Sequence, residues 1–239
     1  MSGFVLKGAL VEFMPTFLPT PLPNVIVFQY NPETMTHTWT QPEAADSAGT
    51  EGANPFAVQG MPGESFAFTL AMDAGDDIAD GAPATAKLAS ATGLYSRLAA
   101  LEMLLYPTGT GQSGLTGAVS AAIASALSGS SPDPFRTVPQ SVMPVTLFIW
   151  GAGRIVPVRV TELTITEQLY DAALNPTHAE AQITLRVLTP AELVAAQADD
   201  DVLGRLANVA YTYTLTLRQT LATANLANSA QSIIAMIPH

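Results

Sequence analysis

This sequence predicts a mainly β chain with α elements: an antiparallel β-barrel carrying one packed helix, followed by a C-terminal helical extension. Three observations carry the expectation. Apolar and polar residues alternate through several runs, one internal segment has strong helical spacing, and residues 190–239 are Ala-rich with little Gly.

The first expected strand is Asn24–Tyr30, NVIVFQY, apolar and β-branched and ended by the turn pair Asn31-Pro32. Thr34–Gln41, TMTHTWTQ, alternates as a second. Residues 42–63 are rich in Pro, Gly and Ala and read as a loop. Glu64–Met72 places Phe66, Phe68, Leu70 and Met72 on one face, as a half-buried strand should. Asp73–Ala84 reads as an acidic loop. Leu94–Tyr106 repeats Leu94, Leu98, Leu101, Leu104 and Leu105 at helical spacing before Pro107, the one strong helix expected inside the β region.

Residues 108–134 are a Gly/Ser/Thr/Ala-rich insertion read as flexible, with a weak helix over Leu115–Leu127. A second β block follows. Pro144–Trp150 is a near-continuous apolar run that suits a strand buried on both faces. Arg154–Tyr170 alternates through Val156, Val158 and Val160, then Leu163 and Ile165. His178–Leu188 alternates through Ala179, Ala181, Ile183, Leu185 and Val187. Short turns at Gly151-Ala152-Gly153 and Asn175-Pro176 make these three an antiparallel meander. Thr189 and Pro190 are the N-cap and first residue of a helix. Over 202–237 the helical reading competes with YTYTLTL, which alternates like a strand. The expected organisation is a barrel domain over 1–190 and a helical extension over 191–239.

Composition narrows the function classes. Charged residues make up 12 % of the 239 and apolar residues 48 %, whereas an ordinary domain carries about twice that charge fraction. So charge-poor a chain is expected to bury part of its surface against partners. Its 20 acids against 9 bases, a net −11, argue against nucleic acid, which is bound by Lys and Arg displacing counterions. The chain has no cysteine, which excludes disulfides, thiolate metal sites and cysteine catalysis. The apolar start is interrupted by Lys7 and Glu12 and broken by Pro15, Pro19, Pro21 and Pro23. Neither a signal peptide nor a membrane span is expected, and the chain is expected to fold in the cytoplasm.

No residue set nominates itself as a catalytic, cofactor or metal site. His37, His178 and His239 have no neighbour at metal-ligand spacing. Asp73, Asp76, Asp77 and Asp80 lack the order of a calcium loop, and Asp199-Asp200-Asp201 suits a helix N-terminus. Gly109 and Gly111 are followed by no Lys, as a phosphate loop requires, and Ser65, Ser96 and Ser141 sit in no GxSxG elbow. Trp39 and Trp150 have no basic cluster beside them and read as core or interface aromatics.

Three stretches, in order, carry a resemblance: FQYNPETM (Phe28–Met35), ESFAFTLAMDAGDD (Glu64–Asp77), and the run from Pro144 to Leu188 with its strand closing in Trp150-Gly151 and its Asn175-Pro176 turn. Over about residues 1–190 the chain resembles the contractile injection system tube protein family. The insertion at 108–134 departs from that pattern. Residues 190–239 also lack the Y-x-V-x-x-G-D-T-L run of the LysM module that many members carry. The resemblance implies a tube-type β-barrel that assembles into a homohexameric ring, lining a lumen by edge-to-edge sheet joining. The implied role is a non-enzymatic adaptor at the baseplate end of the inner tube. Its partners would be the spike or hub protein, the inner tube protein and baseplate wedge components, inside a particle assembled in the producing cell. A bulk inner-tube subunit and a monomeric barrel binding an apolar small molecule stand as alternatives. A hydrolase is disfavoured because no nucleophile–base pair can be named.

Overall fold

The computed structural model describes residues 6–14, 22–42, 58, 60–80, 83–106, 145–195 and 202–236. The insertion at 108–134 with its Leu115–Leu127 helix, most of the 42–63 loop, Gly109, Gly111, Ser141, Asp199-Asp200-Asp201 and His239 lie outside the described residues.

Alternation produces the strands. They are β1 (Ala9–Met14), β2 (Leu22–Val27), β3 (Met35–Thr40), β4 (Gly63–Asp73), β5 (Thr146–Ile149), β6 (Ile155–Tyr170) and β7 (Pro176–Val187). All pair antiparallel in one seven-stranded sheet of order β2-β1-β5-β6-β7-β4-β3. The expected meander is β5-β6-β7. Its phase change between Val160 and Leu163 is a bulge, where the register shifts between Val160 and Glu162. The extra residue returns Leu163 and Ile165 to the face that Val156, Val158 and Val160 occupy, and all five belong to the same apolar cluster. β1 was not expected from the sequence. It is short, and its inward pair is Leu10 and the buried acid Glu12, so its alternation carries little apolar signal.

The sheet is strongly curled. Three strand steps separate β5 from β4, about 14 Å in a flat sheet, yet the Phe148 ring lies 5.3 Å from Phe66 and 5.6 Å from Phe68. Phe28, just past the end of β2, is five steps from β4 and still lies 5.6 Å from Phe68. The side chain of Gln29 bridges the same gap, donating to the Asp73 carbonyl (2.7 Å) and accepting from the Asp73 N–H (2.9 Å). Among the described residues no ladder joins β2 to β3, so the sheet is open, with those two strands as its edges.

Among the described residues five helices accompany the sheet, and the fold is mixed α/β with more helix than expected. The first three are α1 (Ala74–Asp80), α2 (Pro83–Thr92) and α3 (Tyr95–Met103). α1 and α2 correct the reading of Asp73–Ala84 as a loop. The Asp73 carboxylate accepts the Gly75 N–H at 2.6 Å, while Asp76 and Asp77 sit in the first turn, where the helix dipole favours acids. α3 presents Leu98 and Leu101, with flanking Leu94 and Leu104, to the same core as the phenylalanines. Gly93 has φ +55, and a Cβ there would meet the Pro176 carbonyl at 2.5 Å, so only Gly lets α3 start against the β6–β7 turn.

The C-terminal part holds α4 (Pro190–Ala195) and α5 (Val202–Met236). Thr189 caps α4 and Pro190 opens it, as expected, and Glu192 adds the reciprocal bond of a capping box. α5 resolves the ambiguity of YTYTLTL in favour of helix. The hydroxyls of Thr212, Thr216, Thr220 and Thr223 each donate to the carbonyl four residues earlier, so the β-branched positions are satisfied inside the helix. Ala207 and Ala210 pack with Leu193 and Leu147 on the outer face of β5. Thr146, Leu147 and Phe148 are therefore buried on both faces, as the apolar run requires.

Candidate functional site

The densest polar cluster lies where α5 crosses the ends of β3, β4 and β6. Glu64 continues the inward phase of Phe66 and Phe68 and is buried, its side chain 3 % exposed. Both guanidinium NH groups of Arg218 donate to its carboxylate, at 2.5 and 2.9 Å, and the His37 Nε2 lies 2.8 Å from it. Arg218 also stands 4.9 Å above the Trp39 ring, and Arg154 sits 5.1 Å over Phe66. His37 stacks on Phe66. One turn earlier in α5 the buried Thr214 hydroxyl donates to the Ile155 carbonyl (2.7 Å) and accepts its N–H (3.1 Å).

Electrostatics follow from this packing. Burial lowers the His37 pKa below 6.5; Arg154 and Arg218 lower it further, while Glu64 opposes them. Burial also lowers the Arg154 pKa, with Arg218 adding to the effect. On the far side of the sheet's interior, burial raises the carboxyl of Glu12 although it accepts from the Asn24 amide at 3.1 Å. With two donors on one carboxylate, the Glu64 cluster ties a helix to a sheet. The cavity beside it, bounded by Trp39, Glu64, Tyr211 and Arg218 among others, is only about 50 Å³.

The residues singled out in the sequence do not converge. His178 is on β7, 3.6 Å from the Asp73 carboxylate, and His37 is on β3. The acids of α1 have separate partners. Asp76 accepts from the Tyr30 hydroxyl, which is pushed up to about 12, chiefly by that bond. Asp77 accepts two bonds from Arg97, both 2.6 Å. Ser65 lies on β4 and Ser96 on α3. Trp150 packs against Phe28 and Phe148, whereas Trp39 is half-exposed beneath Arg218. Among the described residues no group of three or more His, Asp or Glu side chains is placed to hold a metal ion, and no helix is long and apolar enough to cross a membrane.

Glu64, Arg218 and Arg154 were missed in the sequence. The available signal was an acid at an inward strand position, and an Arg on the helix face set by Ala207, Ala210 and Thr214. The other exposed feature is backbone. β5 pairs with β6 only over Ile155–Val158, so from Arg159 to Tyr170 β6 has a partner on the β7 side alone among the described residues. Compared with known protein families and with curated proteins, the chain matches none.

Proposed function

We propose that this chain is a structural subunit of a contractile injection system. In this reading it forms a six-fold ring at the baseplate end of the inner tube and joins spike to tube by assembling, not by catalysing. The curled sheet acts as a tube-type barrel. Its partners are five further copies, the spike or hub protein, the inner tube protein and baseplate wedge components, in a particle built in the cytoplasm of the producing cell.

The observation that carries the reading is the edge of β6 from Arg159 to Tyr170, which no strand covers among the described residues. A strand edge that long invites pairing with another chain, and a monomer blunts it with Lys or Pro. Residues 159–170 contain neither, and past the bulge at Val160–Glu162 the edge carries a single charge, Glu167. Pairing with a neighbour's sheet satisfies the edge, and head-to-tail repetition closes a ring. The charge-poor composition fits buried inter-subunit surface. The small-molecule alternative is disfavoured because Phe28, Phe66, Phe68 and Phe148 fill the interior, and the open hollow of about 430 Å³ beside Phe28 is lined by the polar Lys7, Gln29, Asp76, Asp77 and Arg97.

The test is imaging of particles from cells with and without the gene. Loss of register between spike and tube is expected. Particles with spike, tube and sheath in normal register without this chain would refute the adaptor role. A purified chain that stays monomeric and never enters particles would refute the ring.

A further inference from the structure

We propose that the exposed apolar flank of α5 is a helix-docking seam whose occupant is α5 of a second copy of this chain. This flank adjoins the stripe that packs on the sheet. Ala207, Ala210, Thr214 and Arg218 serve the contact with the sheet. Leu206, Val209, Tyr213, Leu217 and Leu221 follow at steps of three, four, four and four, which keeps them within one stripe of the helix. Val209 is 64 % exposed and Leu221 60 %, Leu206 and Tyr213 are also exposed, and Leu217 is half-buried. The Tyr213 hydroxyl is satisfied by the Ala152 carbonyl at 3.0 Å, which leaves the ring as apolar surface. Spacing of three and four is the pattern that interlocks with another helix.

Charge selects the occupant. The chain carries 20 acids and 9 bases, so most faces of two copies repel each other. α5 has no acid in its 35 residues. Its two bases are Arg205 and Arg218, and Arg218 is held by Glu64. Two copies therefore meet along α5 without bringing acids together. Beyond Arg218 the last eighteen residues, Gln219–Met236, carry no charge at all, and every side chain from Gln219 to Leu226 is exposed. That segment is about 27 Å long, and helices in proteins draw most of their stability from packing a face. A copy of the same helix, equally uncharged, covers the exposed part without opposing it with charge. The inference rests on the assembly reading only in naming a contact between copies, and it uses a helix face where the ring uses a sheet edge.

The absence of native cysteine allows a direct test on the full chain. Single substitutions Leu206→Cys, Val209→Cys, Leu217→Cys and Leu221→Cys report the seam. Gln219→Cys and Ala222→Cys, exposed and turned away from the seam, report random collision. Mixing Leu206→Cys with Leu221→Cys covers an antiparallel pair. Mild oxidation is expected to give disulfide-linked dimers at seam positions, about tenfold or more above the controls. The exposed double variant Val209→Glu/Leu221→Glu, with helicity unchanged by circular dichroism, is expected to weaken self-association by about tenfold or more in sedimentation, because docking would bury unpaired carboxylates. Crosslinking no stronger on the seam than off it, or association unaltered by the Glu pair, overturns the proposal. Thr164→Lys/Thr166→Lys on the β6 edge separates the two readings. Rings lost with seam crosslinks kept support both contacts as distinct. Rings kept by that variant and no seam crosslinks overturn the seam and the edge pairing alike.

Discussion

The two faces of the curled sheet are held by different materials. Inside, Phe28, Phe66, Phe68 and Phe148 meet at centroid distances of 5.3 to 6.5 Å with α3 leucines behind them. Outside, the contact with α4 and α5 rests on Leu147, Leu193, Ala207 and Ala210 and on the polar clamp at Thr214, while Arg218 reaches past the sheet's end to the inward-facing Glu64. Burial of large rings is strong and indifferent to pH or partner. A few hydrogen-bonded clamps are weaker but fix direction, because a bidentate guanidinium pair has one geometry. The difference suits a body that must persist and a helix that must be aimed.

The largest effect is expected inside. Phe148→Ala removes a fully buried ring that touches four other aromatics and should destabilise the chain by about 3–5 kcal/mol, read from urea unfolding. A loss under about 1 kcal/mol would mean that the interior is not the stabilising face.

Arg218→Ala strips the partner from a carboxylate that is 3 % exposed. Breaking a buried pair costs about 3–5 kcal/mol, and because Arg218 is itself 30 % exposed screening brings the expectation to about 2–3 kcal/mol. The loss should appear with a change in Trp39 fluorescence, since the guanidinium leaves that ring. If Trp39 is unmoved and stability intact, α5 is not aimed by this clamp. Thr214→Val is nearly isosteric but leaves the Ile155 N–H and carbonyl without their partner, at about 1–2 kcal/mol. A smaller loss would show water replacing the hydroxyl.

Legibility in the sequence follows the same division. The inner face was readable because Phe66, Phe68, Leu70, Ile183 and Leu185 keep a period of two, and all five are buried. Leu147 is buried as expected, against α4 and α5, while Ile149 is only half-buried at the strand end. β1 was invisible because one of its two inward positions is Glu12. α1 was hidden because Asp73, Gly75, Asp76 and Asp77 serve both loops and helix N-termini, and only the Asp73–Gly75 bond decides between them. The Glu64–Arg218 clamp spans 154 positions, so nothing local announces it. The Thr-rich alternation in α5 misled because hydroxyl bonding to carbonyls four residues back leaves no trace in a period-two pattern.

The smallest expected effect separates the phenylalanine cluster from the clamp by pH. The four phenylalanines carry no titrating group, whereas the clamp at their edge contains His37, stacked on Phe66, with Glu64, Arg154 and Arg218 around it and Tyr211 nearby. In the folded chain His37 resists protonation below its ordinary 6.5, first because it is buried and then because two guanidinium groups face it. The unfolded chain has no such resistance. As pH falls through about 6.5 the unfolded state takes up a proton that the folded state declines, so stability drops until the folded pKa is reached and then levels. The contribution is complete above 6.5 and lost below it. It is smaller than either clamp deletion because Glu64 offsets part of the penalty. His37→Gln keeps a hydrogen-bonding group beside Glu64 and removes the titration. Urea midpoints measured from about pH 7.5 to 5 are therefore expected to fall more steeply for the natural chain than for the variant. The Glu12 contribution is common to both and cancels in the difference. Parallel curves would place His37 outside the coupling, and a natural chain that gained stability on acidification relative to the variant would mean that the imidazolium–Glu64 attraction outweighs burial and the two arginines.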